Sequence, residues 1–389
     1  MKKILFITNN WLYDYGGRRI VTTKIINDFS HKRFSITVAN FEVGTKPILK
    51  LKIKKIYTFH NKVKILTYFI KTNKKIVPYL IDMSKKYQFD VIICSAGPHF
   101  DIMTILSIKI FSLFKKAKII LFAHVHPLKS IKIFSLSIKD FLCNTGYYIS
   151  SYFIYRLFDK IVAPSFSLKN FFVGRLLIKK EKITVIYHPI LNNKNNKDLY
   201  TKKGHFLSFS DDEKILITAA RLNTFQKDFQ TLFKALKELN KKINCRLIIL
   251  GEGEDREKII ELAKKLKIYN HINLLGFKKN PIEYMKQADV FVLSSFFEGF
   301  GIVLVEAMAS KVPIVSTDCD FGPKEILENG KNGLLISVGD YKSMAKAILK
   351  LLEDNKLRER FVKNGLNKIK NYYEISSFRL WNQFIAKLS

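Results

Sequence analysis

The chain has 389 residues, 48% apolar and 26% charged, with 67 Lys and Arg against 33 Asp and Glu for a formal net charge of +34. That length exceeds one ordinary domain and fits two of about 150–200 residues, each able to bury its own core. Cys94, Cys143, Cys245 and Cys319 lie far apart, with no Cys-x-x-Cys and no paired histidines, which argues against a zinc site or a disulfide framework and for a reducing cytoplasm.

In chain order, Met1-Lys2-Lys3 leads straight into a strand candidate over 4–8, so no signal peptide is expected. Further strand candidates fall at 35–40, 91–94, 119–123, 160–163 and 183–186, then at 214–219, 246–250, 272–275, 290–293 and 313–316. Helical stretches alternate with them throughout, which predicts an α/β fold of parallel sheets with helices on both faces. Aromatic residues and lysines interleave over 62–79 and 134–158, read as helices. The weakly charged stretch 141–155 is interrupted by Asn144, Thr145 and Gly146 and is too short to span a bilayer. Tyr187-His188-Pro189 opens a polar break, LNNKNNKDLYTKKG, that fits neither strand nor helix, so the hinge is placed near 188. The expected domains are 1–188, 189–370 and a final helical segment, 371–389.

Charge divides unevenly along the chain. Residues 1–190 carry 33 Lys and Arg against 9 Asp and Glu, a net of +24, whereas residues 191–389 carry 34 against 24, a net of +10. Abundant Lys, Ile, Asn and Phe point to a compositional bias, but a uniform bias does not favour one half. The imbalance predicts that the N-terminal domain faces something anionic, a membrane surface or a phosphate-bearing acceptor. Runs such as 50–55 and 115–118 are each ordinary as solvated faces. Lys far outnumbers Arg, and no zinc finger, RNA-recognition sequence or basic helix with heptads is present, so no nucleic-acid partner is expected.

Several segments carry possible chemistry. Gly16 and Gly17 follow the first strand and precede a helix, a turn whose amides can approach phosphate or an acceptor. FAHVHP, 122–127, ends a strand with His124 and His126, although an exposed loop histidine is most often incidental. ITAARLNTFQKDFQTL, 217–232, sets Arg221 at a strand's carboxyl end and Lys227 in the following loop, where two cations suit a diphosphate. RLIILGEGEDREKI, 246–259, carries Gly251 and Gly253 after a strand, a weak dinucleotide signal without its third glycine. SFFEGFGIVLVEAMAS, 295–310, places Glu298 in a strand-to-helix turn with Gly299 and Gly301, and Glu306 on the helix that starts at Ile302. A carboxylate on an otherwise apolar helix needs a partner, and ligand hydroxyls are one; a neighbouring helix is another. PIVSTDCDFGPKEIL, 313–327, adds Gly322-Pro323 at a further helix start, an anion-friendly end.

Glu298, seven residues, then Glu306, with Gly-Phe-Gly after the first, resembles the signature of retaining glycosyltransferases of group 1. The Arg221 and Lys227 pair, Gly16-Gly17, His124 and the Gly-Pro-x-Glu-Ile-Leu run resemble the same family, the last in members that build bacterial surface glycans. The resemblance covers nearly the whole chain and is strongest over 215–339. It implies a GT-B fold: two Rossmann-like domains with parallel sheets facing an interdomain cleft, N-terminal for acceptor and C-terminal for donor, with residues 371–389 crossing back. It further implies transfer of a hexosyl or N-acetylhexosaminyl group from a nucleotide diphosphate sugar, a UDP-sugar favoured, to a lipid-linked glycan acceptor. Retention and no metal or other cofactor are implied with it, in the cytoplasm or on the inner face of the plasma membrane.

In that reading Arg221 and Lys227 hold the diphosphate, and Glu306 the ribose. Glu298 holds the sugar hydroxyls, Gly299, Gly301 and Ile302 line the donor, Gly16 and Gly17 serve the phosphate or acceptor, and His124 contacts the sugar or acceptor. Two features depart from the family: Arg18-Arg19 after the glycine pair, and Lys311 where a glycine would ease a left-handed helix cap. A UDP-sugar epimerase of the same architecture and a non-catalytic, basic membrane-surface protein are the alternatives.

Overall fold

A computed structural model describes residues 2–9, 17–31, 34–43, 63–70, 76–95, 98–124, 152–192 and 212–388. Gly16, His126, Cys143, the lysine run 50–55, the stretch 134–151 and most of the polar break after Pro189 lie outside these residues. The chain divides into two compact units, Met1–Pro189 with Ser377–Ser389, and Ile190–Ser376.

The first unit is built on β1 (Lys2–Asn9), β2 (Phe34–Val43), β3 (Val63–Ile70), β4 (Val91–Cys94), β5 (Lys118–Phe122), β6 (Lys160–Ala163) and β7 (Ile183–Val185). All pair in parallel, in the order β3-β2-β1-β4-β5-β6-β7. Helices α1 (Gly17–Ser30), α2 (Ile76–Lys86), α3 (Pro98–Ile110) and α4 (Phe166–Gly174) make crossovers between strands. A sheet covered on both faces requires continuously apolar strands, and VIIC of β4 is buried at every position. Residues 63–70, read from the sequence as part of a helix, are instead β3, paired from Ile36↔Val63 to Val43↔Ile70. Interleaved aromatics and lysines suit either period, and the ladder offered by β2 decides for the strand.

The second unit is built on β8 (Lys214–Ala219), β9 (Cys245–Leu250), β10 (Ile272–Gly276), β11 (Val290–Leu293), β12 (Ile314–Thr317) and β13 (Leu334–Ile336), in the order β10-β9-β8-β11-β12-β13. Its helices are α5 (Phe229–Leu239), α6 (Arg256–Lys265), α7 (Pro281–Met285), α8 (Ile302–Ala309), α9 (Pro323–Ile326), α10 (Tyr341–Glu353) and α11 (Asn355–Lys368). Phe229, Leu232, Phe233, Leu236 and Leu239 form the buried stripe of α5 at helical spacing and pack with Leu247, Ile249, Val292 and Ile348 in one core. Asp228, Asp340 and Asp354 start α5, α10 and α11, each accepting the amide three residues on.

A last helix, α12 (Glu374–Ala386), returns the chain to the first unit from Ser377 onward. Trp381 is fully buried there, edge-on to Phe29 and Phe122 at 6.1 and 4.9 Å between ring centroids. Asn382 Nδ2 donates to Asp28 Oδ2 at 3.0 Å, and Lys2 Nζ donates to the carbonyls of Ile385 and Leu388. Among the described residues no helix is long and apolar enough to cross a membrane, and no three His, Cys, Asp or Glu side chains gather as a metal site. In each sheet the strand order reverses between two neighbours, β1 and β4 in one and β8 and β11 in the other. Ligands of open α/β sheets bind beyond the carboxyl ends of the strands at such switch points.

Candidate active site

In the second unit the loops leaving β8 and β11 meet at the switch point. The β8 loop is laid against the loop after β9. Ala220 N donates to Leu250 O, Leu222 N to Glu252 O, and Asp255 N back to Leu222 O. Gly251, at φ 141°, and Gly253 make this approach possible, because a Cβ on either would lie 1.9 Å from Ala220 O or 2.3 Å from Leu222 O. The Gly-x-Gly here therefore serves backbone packing beside Arg221. Asp255 Oδ2 accepts both the amide and the hydroxyl of Thr224 at 2.8 Å. Lys258 and these two donors hold its pKa down to about 2.

Beyond Thr224, Asn223 Oδ1 accepts the amides of Phe225 and Gln226 and turns the chain toward β11. Phe296 N then donates to Gln226 O and Asp228 N to Ser294 O, with an isolated antiparallel bridge between Lys227 and Ser295. This zipper brings Lys227 and Glu298, 71 residues apart in sequence, into a buried ion pair, Nζ to Oε1. Both are nearly enclosed, at 8% and 6% exposure. Ser295 Oγ donates to the same Oε1 at 2.8 Å, Lys227 Nζ also reaches Ser295 Oγ at 3.3 Å, and Gln226 Nε2 donates to Oε2 at 3.4 Å. A buried carboxylate with this many donors has its desolvation offset, and it is fixed in direction. Two of the three ammonium protons of Lys227 are used in these contacts, which leaves one for a ligand.

The Glu298 turn is held from β12 as well. Glu298 N donates to Asp320 O, and Thr317 Oγ1 accepts Ser295 N and donates to Ser295 O. Gly322, at φ 98°, packs so closely that a Cβ would lie 1.6 Å from Phe300 O. Its helix α9 has a single turn, too short to add much dipole, and the close approach to Phe300 is what Gly322 makes possible here. Gly301, at φ 89°, starts α8 without a side-chain cap, leaving first-turn amides for an acceptor outside the helix. Glu306 is half-buried on α8 and Arg221 is exposed just past β8. Burial first, then Glu298, pushes the Cys319 thiol beside this turn up to about 12, so it is an uncharged filler and not a nucleophile.

In the first unit, Gly17 opens α1, and three buried side chains from separate elements form a chain past the ends of β4 and β5. Thr22 Oγ1 lies 3.0 Å from Ser95 Oγ, which lies 2.8 Å from His124 Nε2. The His124 ring packs on Phe122 at 4.0 Å and stacks with His188 at 5.4 Å between centroids. Burial lowers the pKa of both imidazoles, with His188 and then Arg18 adding to the shift at His124, and His188 reaches about 3. Both rings are neutral at physiological pH.

Sequence reasoning did not single out Gln226, Ser295, Thr317, Ser95 or Thr22, and it noted His188 only at the hinge. Small polar residues carry no composition or spacing signal, and only adjacency to Lys227, Glu298 and His124 could have drawn notice.

Residues 201–368 match the family described as glycosyl transferases group 1. An uncharacterized glycosyltransferase of Methanocaldococcus jannaschii is 28% identical, over 73% of this chain and 75% of its own. The N-acetylgalactosamine-N,N'-diacetylbacillosaminyl-diphospho-undecaprenol 4-alpha-N-acetylgalactosaminyltransferase of Campylobacter jejuni is 30% identical over 58% of this chain and 60% of its own. The capsular polysaccharide biosynthesis glycosyltransferase CapM of Staphylococcus aureus is 30% identical over 60% and 64%. Among solved structures, Anabaena HepE in complex with UDP and glucose is similar with a TM-score of 0.77 at 16% identity, covering 99% of this chain and 100% of that one. Sucrose-phosphate synthase from Thermosynechococcus elongatus gives 0.77 at 16% identity, covering 100% and 99%. These neighbours are GT-B glycosyltransferases, and two parallel, Rossmann-like sheets make the same architecture in this chain. Over residues 201–368 the chain is thus similar in sequence to the glycosyl transferases of group 1, and both of its sheets share the fold of the solved GT-B enzymes.

Proposed function

We propose that the protein transfers a hexosyl or N-acetylhexosaminyl group, with retention and without a metal, from a nucleotide diphosphate sugar to a lipid-linked glycan at an anionic membrane surface. The observation that carries the donor side is the buried Lys227–Glu298–Ser295 cluster at the switch point, next to the uncapped start of α8. The remaining proton of Lys227, with Arg221 and the first amides of α8, would take the diphosphate. As the sugar C1–O bond breaks, its electron pair goes to the diphosphate, and cations already in place stabilise that charge. The acceptor oxygen bonds to C1 on the face the leaving group vacates, and its proton passes to a leaving-group phosphate oxygen. Glu298, with both oxygens engaged, suits holding the sugar hydroxyls better than attacking C1. Glu306 would fix the ribose. Gly17 and the neutral His124 would serve the acceptor or the transferred sugar.

UDP is favoured because HepE is solved with UDP and with UDP-glucose, and a lipid carrier because the C. jejuni relative acts on a diphospho-undecaprenol-linked sugar. The membrane rests on the +24 net charge of residues 1–190. A thermal-shift panel of nucleotides tests the donor site on wild type, Glu306→Ala, Lys227→Ala and the exposed Arg221→Ala. UDP at about a hundred times its dissociation constant should stabilise wild type by roughly 2.7 kcal/mol, and the three variants should lose most of that gain. If no nucleotide shifts the wild type, the donor site is refuted.

A further inference from the structure

We propose that the first unit docks on an anionic bilayer through the amino-terminal edge of its sheet beside β5, β6 and β7, inserting Ile110, Phe111, Phe153 and Leu177. This rests on the membrane reading above and assigns the surface responsible. Three turns form that edge: the one from α3 into β5, the segment leading into β6, and the one from α4 into β7. They are tied to one another. Arg156 Nη2 donates to Leu177 O at 3.4 Å, Lys182 Nζ donates to the carbonyls of Arg156 and Phe158, Lys160 Nζ donates to Glu181 O, and Asp159 Oδ2 accepts Ile119 N.

Each turn exposes a large apolar side chain: Ile110 at 70% and Phe111 at 50%, Phe153 at 61% and Leu177 at 58%. The backbone at Leu177 adds a second local cost, since φ is 46°. That conformation lets Leu176 and Ile178 both face the core, at 1% and 2% exposure, but glycine or asparagine would serve it better. The left-handed turn closes the end of α4, where Ile178 N donates to Phe172 O, but it leaves the leucine side chain in water, an apolar cost that an outside apolar contact would offset.

Charge identifies the occupant. Lys109, Lys115, Lys116 and Lys118 are exposed around Ile110 and Phe111, and Arg175, Lys179 and Lys180 are exposed around Leu177. Glu181 is the one exposed carboxylate among the described residues of these three turns. A second copy of this edge would bring like charges face to face, and a hydrophilic polyanion would leave the four apolar side chains in water. An anionic lipid surface takes both, with apolar tips in the headgroup region and each cation near the phosphates. Residues 118 to 124 run from this edge to His124, which stands about 20 Å from it at strand spacing. An acceptor reaching that histidine must therefore project from the lipid as a glycan of several sugars.

Flotation tests the assignment, with the full chain and vesicles of phosphatidylcholine containing roughly 30% phosphatidylglycerol, against phosphatidylcholine alone. Wild type should float with the anionic vesicles only, and the joint variant Ile110→Ser, Phe111→Ser, Leu177→Ser should lose about tenfold or more in partitioning. Its thermal midpoint and circular dichroism establish that it is folded. The emission of a Phe111→Trp variant should blue-shift on anionic vesicles and be quenched by brominated lipid. Failure of wild type to float at low salt overturns the membrane reading itself. Flotation unchanged in the serine variant, with no emission shift in the Phe111→Trp variant, overturns the edge and leaves that reading standing. A wild-type dimer dissolved by the serine substitutions overturns both the bilayer and the charge argument, in favour of a second copy.

Discussion

His124 and His188 show how single side chains report on the fold around them. Both are buried and neutral, stacked on one another and walled by Phe122, and burial is the first cause of both lowered pKa values. An unfolded histidine titrates near 6.5, so between there and the folded value the unfolded chain holds more protons and stability rises with pH. The contribution is full above about pH 6.5–7 and is lost as pH falls toward His188's value of about 3. Denaturant midpoints measured from about pH 7.5 down to 5.5, before most carboxylates titrate, should therefore decline. His188→Phe should decline less steeply, by about one proton's worth of slope. A midpoint flat across that range in wild type would mean the pair already carries charge in the folded state.

At the scale of elements, the end of α8 shows how one residue in the wrong class is tolerated. Val312 N donates to Ala307 O and Lys311 N to Met308 O, a Schellman closure that puts Lys311 at φ 62°. A left-handed residue with a Cβ costs roughly 1–2 kcal/mol, part of which glycine gives back as unfolded-chain entropy. Lys311→Gly should thus stabilise by about 0.5–1 kcal/mol, read as a higher urea midpoint at unchanged slope. A lower midpoint would mean that the Lys311 side chain holds more than its backbone loses. The departure from the family was visible in the sequence because glycine there has a mechanical reason. Most strands were visible too, since parallel strands buried on both faces are unbroken apolar runs. Two strands were not: β3, whose lysines and aromatics suit two periods, and β13, three residues long. Side-chain pairing was invisible in the same way. Lys227 and Glu298 each attracted notice alone, but their mutual contact comes from a zipper between two loops, and the sheet order that joins those loops is set by tertiary structure.

For the whole molecule, the path of the chain matters more than any single strand. The last helix is encoded after the second unit yet completes the first, where Trp381 closes the core over Phe29 and Phe122. A fully buried tryptophan truncated to alanine costs about 3–5 kcal/mol, because the large void left behind collapses only partly. Trp381→Ala should charge that cost to the first unit alone, since the second has its own continuous core from Leu216 to Phe361 that includes no residue of α12. Hydrogen exchange by mass spectrometry separates the two: amides of β1, β4 and β5 should lose protection, while those of β8, β9 and β11 keep theirs. Equal loss in both units would show that they unfold as one cooperative body, and that α12 stabilises the second unit as much as the first. If the loss stays in the first unit, the nucleotide binding proposed for the second should survive the same substitution, which would tie the proposed donor site to the Ile190–Ser376 core and not to the returning helix.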